Sequence, residues 1–347
     1  MIPIGKGPAI DFEHGLVDLN HGGGGRAMAQ LIEELFIAAF DNPLLRQGND
    51  QACFPVAEGR MVMTTDGYVI SPMFFPGGDI GSLAVHGTIN DVAMAGAQPV
   101  ALSASYIIEE GLPLADLRRV VLSMARAARD AGVPIVTGDT KVVERGKGDG
   151  LFITTTGIGR VPPGVVISGD RAQPGDAILI SGTMGDHGMA VMSRRENLGF
   201  MTGLVSDSAA LHTLVAAMVA VAPGIHVLRD PTRGGLASTL NELAVQSGVG
   251  MLIREAAIPV RDSVAGACEL LGLDPLYVAN EGKLIAILPM EQAETLLSVL
   301  RAHPLGQDAA IIGHVTAEDP GLVQMDTKFG GRRIVDWLAG EQLPRIC

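Results

Sequence analysis

The fold is set by residues 80–108, which read IGSLAVHGTINDVAMAGAQPVALSASYII. The pattern of apolar residues predicts a helix over residues 80–95 and a strand over residues 100–108. Three more elements are predicted on the same grounds, a helix over 113–131 and strands over 133–137 and 151–160. This alternation of helices and strands is typical of a mixed α/β domain.

On the N-terminal side of this stretch, apolar residues recur at helical spacing over residues 28–40, directly after a glycine run. Two short apolar runs follow, at residues 60–65 and 68–71. The dipeptide Asp66-Gly67 between them favours a hairpin turn. This interpretation places Asp66 at the end of a strand.

On the C-terminal side, Pro162-Pro163-Gly164 marks a joint between two halves. The second half begins with a predicted buried strand at residues 176–181 and alternates again, which predicts a second mixed α/β domain. A chain of 347 residues is long enough for two domains. We therefore divide it into a glycine-rich segment and helix over 1–44, an N-terminal domain over 45–162, a C-terminal α/β domain over 163–325, and a mobile tail over 326–347.

Composition and charge limit the function classes. The formal net charge is -13, so the chain lacks the excess of Lys and Arg that nucleic-acid binding requires. No stretch approaches the roughly 18 continuous apolar residues of a membrane span. Cys53, Cys268 and Cys347 form neither a CxxC pair nor an even disulfide framework. These features predict a soluble cytoplasmic protein with no nucleic-acid and no membrane partner.

Three aspartates of the first half follow strands or open turns beside glycine or amide residues: Asp66, Asp91 and Asp139. Carboxylates in such positions are able to converge on Mg2+, which prefers oxygen ligands and bridges substrate phosphates. Each aspartate taken alone is better explained as a turn or cap residue. The similar placement of all three favours the metal site.

Two glycine-rich motifs are typical of phosphate binding. Residues 75–81 lead straight into a predicted helix, so the amides around Gly77, Gly78 and Asp79 would form an anion-binding nest. A second motif would cover phosphates as a lid, or would be a flexible linker; it consists of His21, Gly22, Gly23, Gly24 and Gly25. Neither a Walker A loop nor a complete GxGxxG motif after a predicted strand is present in the sequence.

Four further polar residues are candidates with two interpretations each. Asp230 precedes a glycine pair and an apolar helix, so it either completes the phosphate site or belongs to the cap of that helix. Lys141 and Glu281 are suited to proton transfer if they face a cleft, and are ordinary surface charges if they do not. His187 has no second histidine at metal-ligand spacing nearby, so we assign it a structural role.

Cys347 is the last residue of the sequence. A free thiol at the end of a flexible tail is able to travel between partners, although the adjacent carboxylate favours its neutral form. A prenylation signal is excluded, because it places its cysteine fourth from the end. A carrier thiol and a chance terminal residue both remain.

Five segments together closely resemble the HypE family of hydrogenase maturation proteins: HGGGGRAM at 21–28, FFPGGDIG at 74–81, TGDTKVV at 137–143, NEGK at 280–283 and PRIC at 344–347. The resemblance runs essentially end to end. The glycine and aspartate motifs are shared with the wider superfamily of aminoimidazole ribonucleotide synthetase, selenophosphate synthetase and thiamine-monophosphate kinase. The terminal motif carries the specificity for the HypE family.

The resemblance implies two mixed α/β domains of the aminoimidazole ribonucleotide synthetase type, whose N-terminal domains pair into a barrel in a homodimer. ATP and Mg2+ would be held between the domains. The implied activity is ATP-dependent dehydration of an S-carbamoyl group on Cys347 to a thiocyanate, which supplies the cyanide ligands of the NiFe-hydrogenase iron. A HypF-type carbamoyltransferase would load Cys347, and a HypC–HypD scaffold would receive the cyanide.

Roles for individual residues follow from the matching motifs. The proton acceptors would be Lys141 and Glu281. The metal ligands would be Asp66, Asp91, Asp139 and Asp230. The nucleotide-binding residues would be His21, Gly22, Gly23, Gly24, Gly25, Gly77, Gly78, Asp79, Asn90, Thr137, Gly138 and Thr140.

Two other functions remain open on the sequence. One is a small-molecule kinase or selenophosphate synthetase that uses the same nucleotide site, for which Cys347 would be dispensable. The other is a non-catalytic scaffold that presents its tail to a maturation complex and binds ATP only as a structural ligand.

Overall fold

The structure, a computed structural model, describes residues 10–21, 26–43, 59–197, 203–338, 343 and 345–347. Within these ranges the chain forms two domains, one on a four-stranded sheet and one on a seven-stranded sheet. This agrees with the predicted pair of mixed α/β domains. In the same ranges, no helix is both long enough and apolar enough to span a bilayer.

The N-terminal domain contains most of the predicted elements. Its helices are α1 (Arg26–Leu31), α2 (Ala38–Phe40), α3 (Ile80–Met94) and α4 (Leu114–Ala131), and a π-helical stretch, Ile32–Ile37, joins α1 to α2. Its strands are β1 (Arg60–Tyr68), β2 (Phe74–Phe75), β3 (Gly78–Asp79), β4 (Gln98–Glu109), β5 (Ile135–Val143) and β6 (Leu151–Val161). The predicted helices over 28–40, 80–95 and 113–131 and the strand over 100–108 are confirmed, with bounds shifted by a few residues.

The order of the strands in the first sheet determines where the predicted site residues lie. The order is β1-β6-β4-β5, with β4 and β5 parallel and the other pairs antiparallel. Strands β1 and β5 are therefore the two edges. Three spacings of about 4.8 Å place these edges roughly 14 Å apart.

The two faces of this sheet differ in whether helices cover them. Helices α3 and α4 pack on one face, where the side chains of Ile153 and Leu102 are fully buried. On the other face, Met63 is 71% exposed, Met61 45% and Ile107 42%. A sheet of this kind presents one apolar face that the described part of a single chain leaves open to solvent.

The prediction of a hairpin at Asp66-Gly67 is wrong. Strand β1 continues through this dipeptide, and Asp66 and Gly67 pair with Thr155 and Thr154 of β6 in unbroken register. The long antiparallel partner strand outweighs the local turn preference, because β6 pairs with β1 over nine residues that include the dipeptide. Asp66 therefore lies within an edge strand near its end.

The C-terminal domain alternates as predicted. Its strands are β7 (Asp176–Ile180), β8 (Val227–Arg229), β9 (Gly250–Arg254), β10 (Ile285–Pro289), β11 (Ala310–Thr316), β12 (Val323–Asp326) and β13 (Arg332–Ile334). Its helices are α5 (Asp186–Arg195), α6 (His212–Val221), α7 (Gly235–Ser247), α8 (Asp262–Leu271) and α9 (Met290–Ala302).

Helices cover both faces of the second sheet. Ile178 and Ile180 of β7 point to a core shared with α7, whereas Ala177 and Leu179 point to a core shared with α6 and α9. All five residues of β7 are buried. This explains why the strand reads as a continuous apolar run and not as an alternating one.

The segment predicted as a mobile tail, residues 326–347, begins within the sheet. Asp326 ends β12, and β13 pairs with β12 in antiparallel register. The last described residues contact the body of the protein, as detailed below. The mobility of the tail stays a prediction, and residues 339–342 and Pro344 lie outside the described residues.

Candidate functional site

Three of the predicted site acids lie where the two domains meet. Asp66 projects from β1 on the same face as Thr64, because side chains two residues apart share a face of a strand. Asp91 of α3 accepts a hydrogen bond from Thr64 Oγ1 at 2.9 Å. Asp230 follows β8, and burial together with repulsion from Asp91 and Asp66 raises its pKa to about 7. The two domains thus contribute acids to one group.

Glu281 completes this group and is only 4% exposed. Burial, followed by the negative charges of Asp230, Asp207, Asp66 and Asp91, raises the pKa of its carboxyl well above the ordinary value. In the described part of the chain, its Oε1 has no hydrogen-bond partner. A buried carboxyl with a raised pKa and an available oxygen is suited to proton transfer near neutral pH.

We call Asp66, Asp91, Asp230 and Glu281 the acid cleft. Glu281 is held in it by the loop before β10. The backbone N–H of Glu281 donates to Asp207 Oδ1 at 3.1 Å, and Asn280 Nδ2 donates to the carbonyl of Pro231 at 2.9 Å. The next residue must be glycine, because a Cβ on Gly282 would lie 1.7 Å from the carbonyl oxygen of Asp207.

The end of the chain enters the acid cleft. The N–H of Val69 donates to a backbone oxygen of Cys347 at 3.1 Å, and the N–H of Ser71 donates to Arg345 O at 3.2 Å, so the tail runs antiparallel to residues 69–71. Ile346 is 2% exposed. The last residues of the chain are therefore docked against the residues that follow β1.

The thiol of Cys347 lies among the charges of the cleft. Burial raises its pKa first, and the charges of Glu281 and Asp66 raise it further, while Arg233 acts in the opposite direction. The docked thiol is therefore neutral at physiological pH and a poor nucleophile. A group attached to this sulfur would lie beside Glu281.

Two predicted residues form a separate region at the other edge of the sheet. Lys141 Nζ lies 2.9 Å from Asp139 Oδ1, and both side chains are more than half exposed. The hydrogen bond from Lys141 lowers the pKa of Asp139, and the N–H of Thr140 also donates to this carboxylate. We call this region, residues 137–141 of β5, the β5 edge. In a single chain, it and the acid cleft do not share a site.

A cavity of ≈ 290 Å3 opens beside the β5 edge. The helical segment 28–40 forms one wall with apolar side chains, and residues 135–140 form the other. Gly138 is required there, since a Cβ would lie 2.3 Å from the carbonyl oxygen of Ala104. An apolar cavity beside polar backbone and an aspartate has the character of a small-molecule site.

The motif over residues 75–81 has a mainly structural role in this structure. Asp79 caps α3, accepting hydrogen bonds from the N–H groups of Gly81 and Ser82 at 2.9 and 3.0 Å. The carboxylate thus uses amides that were predicted to bind phosphate. Gly77 has φ +92°, and a Cβ there would lie 2.9 Å from Ser206 N, which explains the glycine. The nucleotide-binding roles of Gly77, Gly78 and Asp79 stay predictions.

Asn90 also has structural partners. Its Nδ2 donates to the carbonyls of Ala209 and Glu281 at 3.0 and 3.1 Å, and its Oδ1 accepts from the N–H of Leu211 at 2.8 Å. Both N–H bonds of the amide are therefore in use. Asn90 joins α3 to the C-terminal domain, and its predicted contact with a nucleotide stays a prediction.

The predicted glycine lid is only partly described. His21 Nδ1 lies 3.0 Å from Asp18 Oδ1, and the side chain of His21 is mostly buried. Gly22, Gly23, Gly24 and Gly25 lie outside the described residues, as does Cys53.

The donors of the acid cleft fit Mg2+ in kind, since all of them are carboxylate oxygens. Within the described ranges, no three His, Cys, Asp or Glu side chains converge closely enough to hold a metal ion alone. Mg2+ is commonly bound by one or two carboxylates, while phosphates and water fill its other positions. The spread of Asp66, Asp91 and Asp230 suits an ion shared with a phosphate.

Sequence reasoning missed three residues of the site, Asp207, Arg233 and Arg195, and did not identify the contacts of His187 with the tail. Arg195 Nη2 donates to Ser71 O and Arg345 O at 2.6 and 2.8 Å, so it joins the tail to residues 69–71. His187 contacts the carbonyl of Ile346. No local pattern marks Arg195 or His187, because their partners in the tail are backbone carbonyls far away in the chain. Asp207 likewise accepts from the N–H of Glu281, a residue 74 positions away.

Comparison with known proteins agrees with this architecture. Residues 48–161 match the family model of AIR synthase related protein, N-terminal domain, and residues 173–326 match that of AIR synthase related protein, C-terminal domain. The chain is 67% identical to the carbamoyl dehydratase HypE of Cupriavidus necator over 347 residues, which cover 100% of this chain and 99% of the relative.

Two solved structures are also similar. A crystal structure of the hydrogenase maturation protein HypE in complex with ATP has a TM-score of 0.92 and 56% identity, covering 95% of this chain and 99% of that one. A crystal structure of a HypE–HypF complex has a TM-score of 0.79 and 50% identity, covering 89% of this chain and 99% of that one.

Proposed function

The chain belongs to the HypE family of carbamoyl dehydratases, and on this premise we propose that it uses ATP to convert an S-carbamoyl group on Cys347 into a thiocyanate for hydrogenase maturation. The position of the Cys347 thiol in the acid cleft, within the electrostatic influence of Glu281, carries the proposal. An S-carbamoyl group is no larger than a short side chain. It would reach the buried carboxyl without leaving the cleft.

The reaction removes one oxygen and two protons from the carbamoyl group. The carbonyl oxygen forms a bond to the γ-phosphorus of ATP while the bond from that phosphorus to ADP breaks, which turns a poor leaving group into phosphate. One proton leaves nitrogen as the C=N bond forms. The second leaves as the C–O bond breaks, so that C≡N, phosphate and ADP are the products.

Glu281 is the proposed acceptor of a nitrogen proton. Its Oε1 is available in the described structure, and its raised pKa makes it a stronger base than an exposed glutamate. Lys141 is the second predicted acceptor. Burial of the docked tail excludes water, which would otherwise hydrolyse the phosphorylated group.

We propose that ATP binds together with Mg2+. Asp66, Asp91 and Asp230 would hold the metal ion. When bound, the ion would neutralise phosphate charge as the leaving group departs. Asp139 was predicted as a fourth ligand. It would have to come from a second copy, because the Asp139 and Asp66 of one chain lie at opposite edges of the sheet.

A homodimer explains how the two regions combine. The exposed sheet face with Met61, Met63 and Ile107 is the proposed interface. If two sheets close into a barrel about a twofold axis along it, edge β1 of each chain meets edge β5 of the other. Lys141 and Asp139 of the partner subunit would then border the acid cleft. ATP would bind between the cavity beside the β5 edge and the acids of the cleft.

The proposed partners follow from the family to which the chain belongs. A HypF-type carbamoyltransferase is the proposed donor of the carbamoyl group, supported by the likeness to the chain in the HypE–HypF complex. A HypC–HypD scaffold is the proposed acceptor of the cyanide. These steps belong in the cytoplasm, where a free thiol stays reduced.

The test of the proposed function follows the carbamoyl oxygen from Cys347 to phosphate. Cyanate labelled with oxygen-18 carbamoylates Cys347 of the purified protein, and ATP with Mg2+ is then added. We expect the C-terminal peptide to lose the mass of one water and the label to appear in inorganic phosphate. Retention of the label on the peptide would contradict the proposal. The kinase alternative predicts phosphate release or transfer that survives Cys347→Ala, whereas the dehydratase loses it.

A further inference from the structure

The docked tail is held by a buried histidine that the dehydration chemistry does not use. His187, the second residue of α5, is fully buried. Its Nε2 lies 2.8 Å from the carbonyl oxygen of Ile346, the residue before Cys347, and its Nδ1 lies 2.8 Å from Ser206 Oγ. Its ring stands edge-on to Phe75, with centroids 5.4 Å apart.

The partners of the ring fix its tautomer. A backbone carbonyl only accepts, so Nε2 must carry the hydrogen that bonds to Ile346. Burial lowers the pKa of His187, so the ring is neutral and Nδ1 accepts from the hydroxyl of Ser206. Ser206 Oγ in turn accepts from the N–H of Ser208 at 3.1 Å. The donor that faces the tail is therefore oriented before the tail arrives.

The same helix holds the tail at a second point. Arg195 Nη2 donates to the carbonyl of Arg345 at 2.8 Å, so α5 binds two consecutive carbonyls of the tail. Leu343 packs on Gly188, where a Cβ would lie 3.2 Å from Leu343 Cδ1. The helix surface thus contacts the tail at Leu343, Arg345 and Ile346 in one register.

We propose that His187 is the latch of the C-terminal tail, a positioning residue that holds the carrier thiol in the acid cleft during dehydration and releases it for loading. The proposal rests on the proposed function for the meaning of the two states. The hydrogen bond exists only when the tail is docked. If the tail leaves, the oriented N–H of a buried ring loses its acceptor, which favours the docked state.

Removing the latch should change two rates in opposite directions. Dehydration needs the docked tail, so it slows as the docked population falls. Loading needs the undocked tail, so it speeds up as the undocked population rises. General damage to the fold would slow both reactions, so the opposite signs separate a latch from a purely structural histidine.

The experiment compares His187→Ala with Ser193→Ala, a matched control on the same helix. Among the described residues, the hydroxyl of Ser193 donates to the carbonyl of Ala190 within α5. Alkylation of Cys347 by iodoacetamide, read on the C-terminal peptide by mass spectrometry, reports exposure of the thiol without any catalysis. Loading is followed with cyanate. Dehydration is followed as a single turnover of the loaded full-length protein with ATP and Mg2+.

For His187→Ala we expect the ratio of undocked to docked tail to rise about five- to tenfold, as loss of one buried hydrogen bond implies. Alkylation and cyanate loading should therefore rise and single-turnover dehydration should fall, and the product of the two factors should equal this shift. His187→Gln keeps an N–H donor of similar reach and should recover part of each effect. Unchanged alkylation in His187→Ala, or slowing of both loading and dehydration, would overturn the proposal.

A second pair of variants keeps the test decisive if His187→Ala does not fold. Arg195→Ala removes the neighbouring tail contact and should shift the same rates in the same directions, whereas Arg194→Ala, an exposed neighbour, should shift none. Equal rates in this pair would overturn the docking model on which the latch depends. Failure of the carbamoylated wild type to lose water would instead contradict the proposed function. The alkylation rates do not depend on that reaction, so they would still test the latch.

Discussion

The acid cleft and the β5 edge are built from similar sequence motifs and have opposite electrostatics. In the cleft, burial and neighbouring negative charges raise the pKa of Glu281, Asp230 and Asp91. At the β5 edge, Lys141 lowers the pKa of the exposed Asp139. An aspartate beside a glycine thus acquires its chemistry from the surroundings that the fold provides, not from the motif.

The difference indicates that the acid cleft and the β5 edge have different chemical roles. Carboxyls whose pKa is raised lie in the cleft, beside Cys347, where they are stronger proton acceptors than exposed carboxyls. A paired charge that stays ionised belongs at an exposed edge, where it is suited to bind phosphate or orient a partner. Variants of the acid cleft and of the β5 edge test these roles.

The largest effect is expected from Glu281→Gln. Glutamine has nearly the same shape and cannot accept a proton, so single-turnover dehydration should fall by about 10²- to 10⁴-fold, the usual contribution of a general base. ATP binding, measured by calorimetry, should change little. Loss of binding together with turnover would instead make Glu281 a ligand of the nucleotide or its metal.

A second prediction asks whether the two regions join across subunits. Asp66→Asn and Lys141→Ala should each be inactive as homodimers. If β1 of one chain meets β5 of the other, a dimer of the two variants has one site that lacks both changes and another that carries both. Random mixing should restore roughly a quarter of the wild-type activity.

The control for this mixing experiment is a pair of variants in one region. Asp66→Asn mixed with Asp230→Asn removes cleft acids from both chains and should recover no activity. If Asp66→Asn and Lys141→Ala also fail to recover it after verified subunit exchange, the two regions do not form a shared site.

Much of the fold could be predicted from local patterns. The helix α4 was predicted to bury one apolar face, and Leu117, Val121 and Met124 are fully buried. The hairpin at Asp66-Gly67 failed because a dipeptide preference is weak against nine paired residues of β6 and β1. Local propensity holds where no distant partner competes with it.

The candidate site could be predicted as a set of residues but not as an arrangement. The motifs identified Asp66, Asp91, Asp230 and Glu281, whereas their proximity depends on how the domains pack. For His187 the sequence indicates a structural role, because no second histidine lies at metal-ligand spacing nearby. Its partner, the carbonyl of Ile346, is 159 residues away and carries no side-chain signal.

A third prediction tests the charge of the cleft through stability. The pKa of Asp230 is raised from 3.8 to about 7 in the folded protein, so the folded state binds the proton more tightly than the unfolded state. This contribution is fully present below pH 3.8 and is lost as the pH rises through 7. Asp230→Asn should therefore raise Tm relative to the wild type at pH 8 and not at pH 4.

The expected size is about 1 to 2 °C for each kcal/mol that burial and repulsion of the charged carboxylate cost a chain of 347 residues. Differential scanning calorimetry of the metal-free protein at both pH values measures it. Saturating Mg2+ and ATP should abolish the advantage of the variant, because bound cations would stabilise the wild-type carboxylate. A gain in Tm that is equal at pH 4 and pH 8 would show that repulsion at Asp230 is not its cause.

The smallest effect is expected at the β5 edge, from Asp139→Asn. Here the folded pKa is lowered, so the pair with Lys141 contributes stability above pH 3.8 that is lost as the pH falls. Both side chains are more than half exposed, and solvent screening limits the contribution to about 0 to 1 kcal/mol. Urea denaturation at pH 7 in low salt should show this small loss, and high salt should remove it. Turnover should fall far more than stability does if the edge serves nucleotide binding, whereas a variant that loses neither would leave the β5 edge without a part in the reaction.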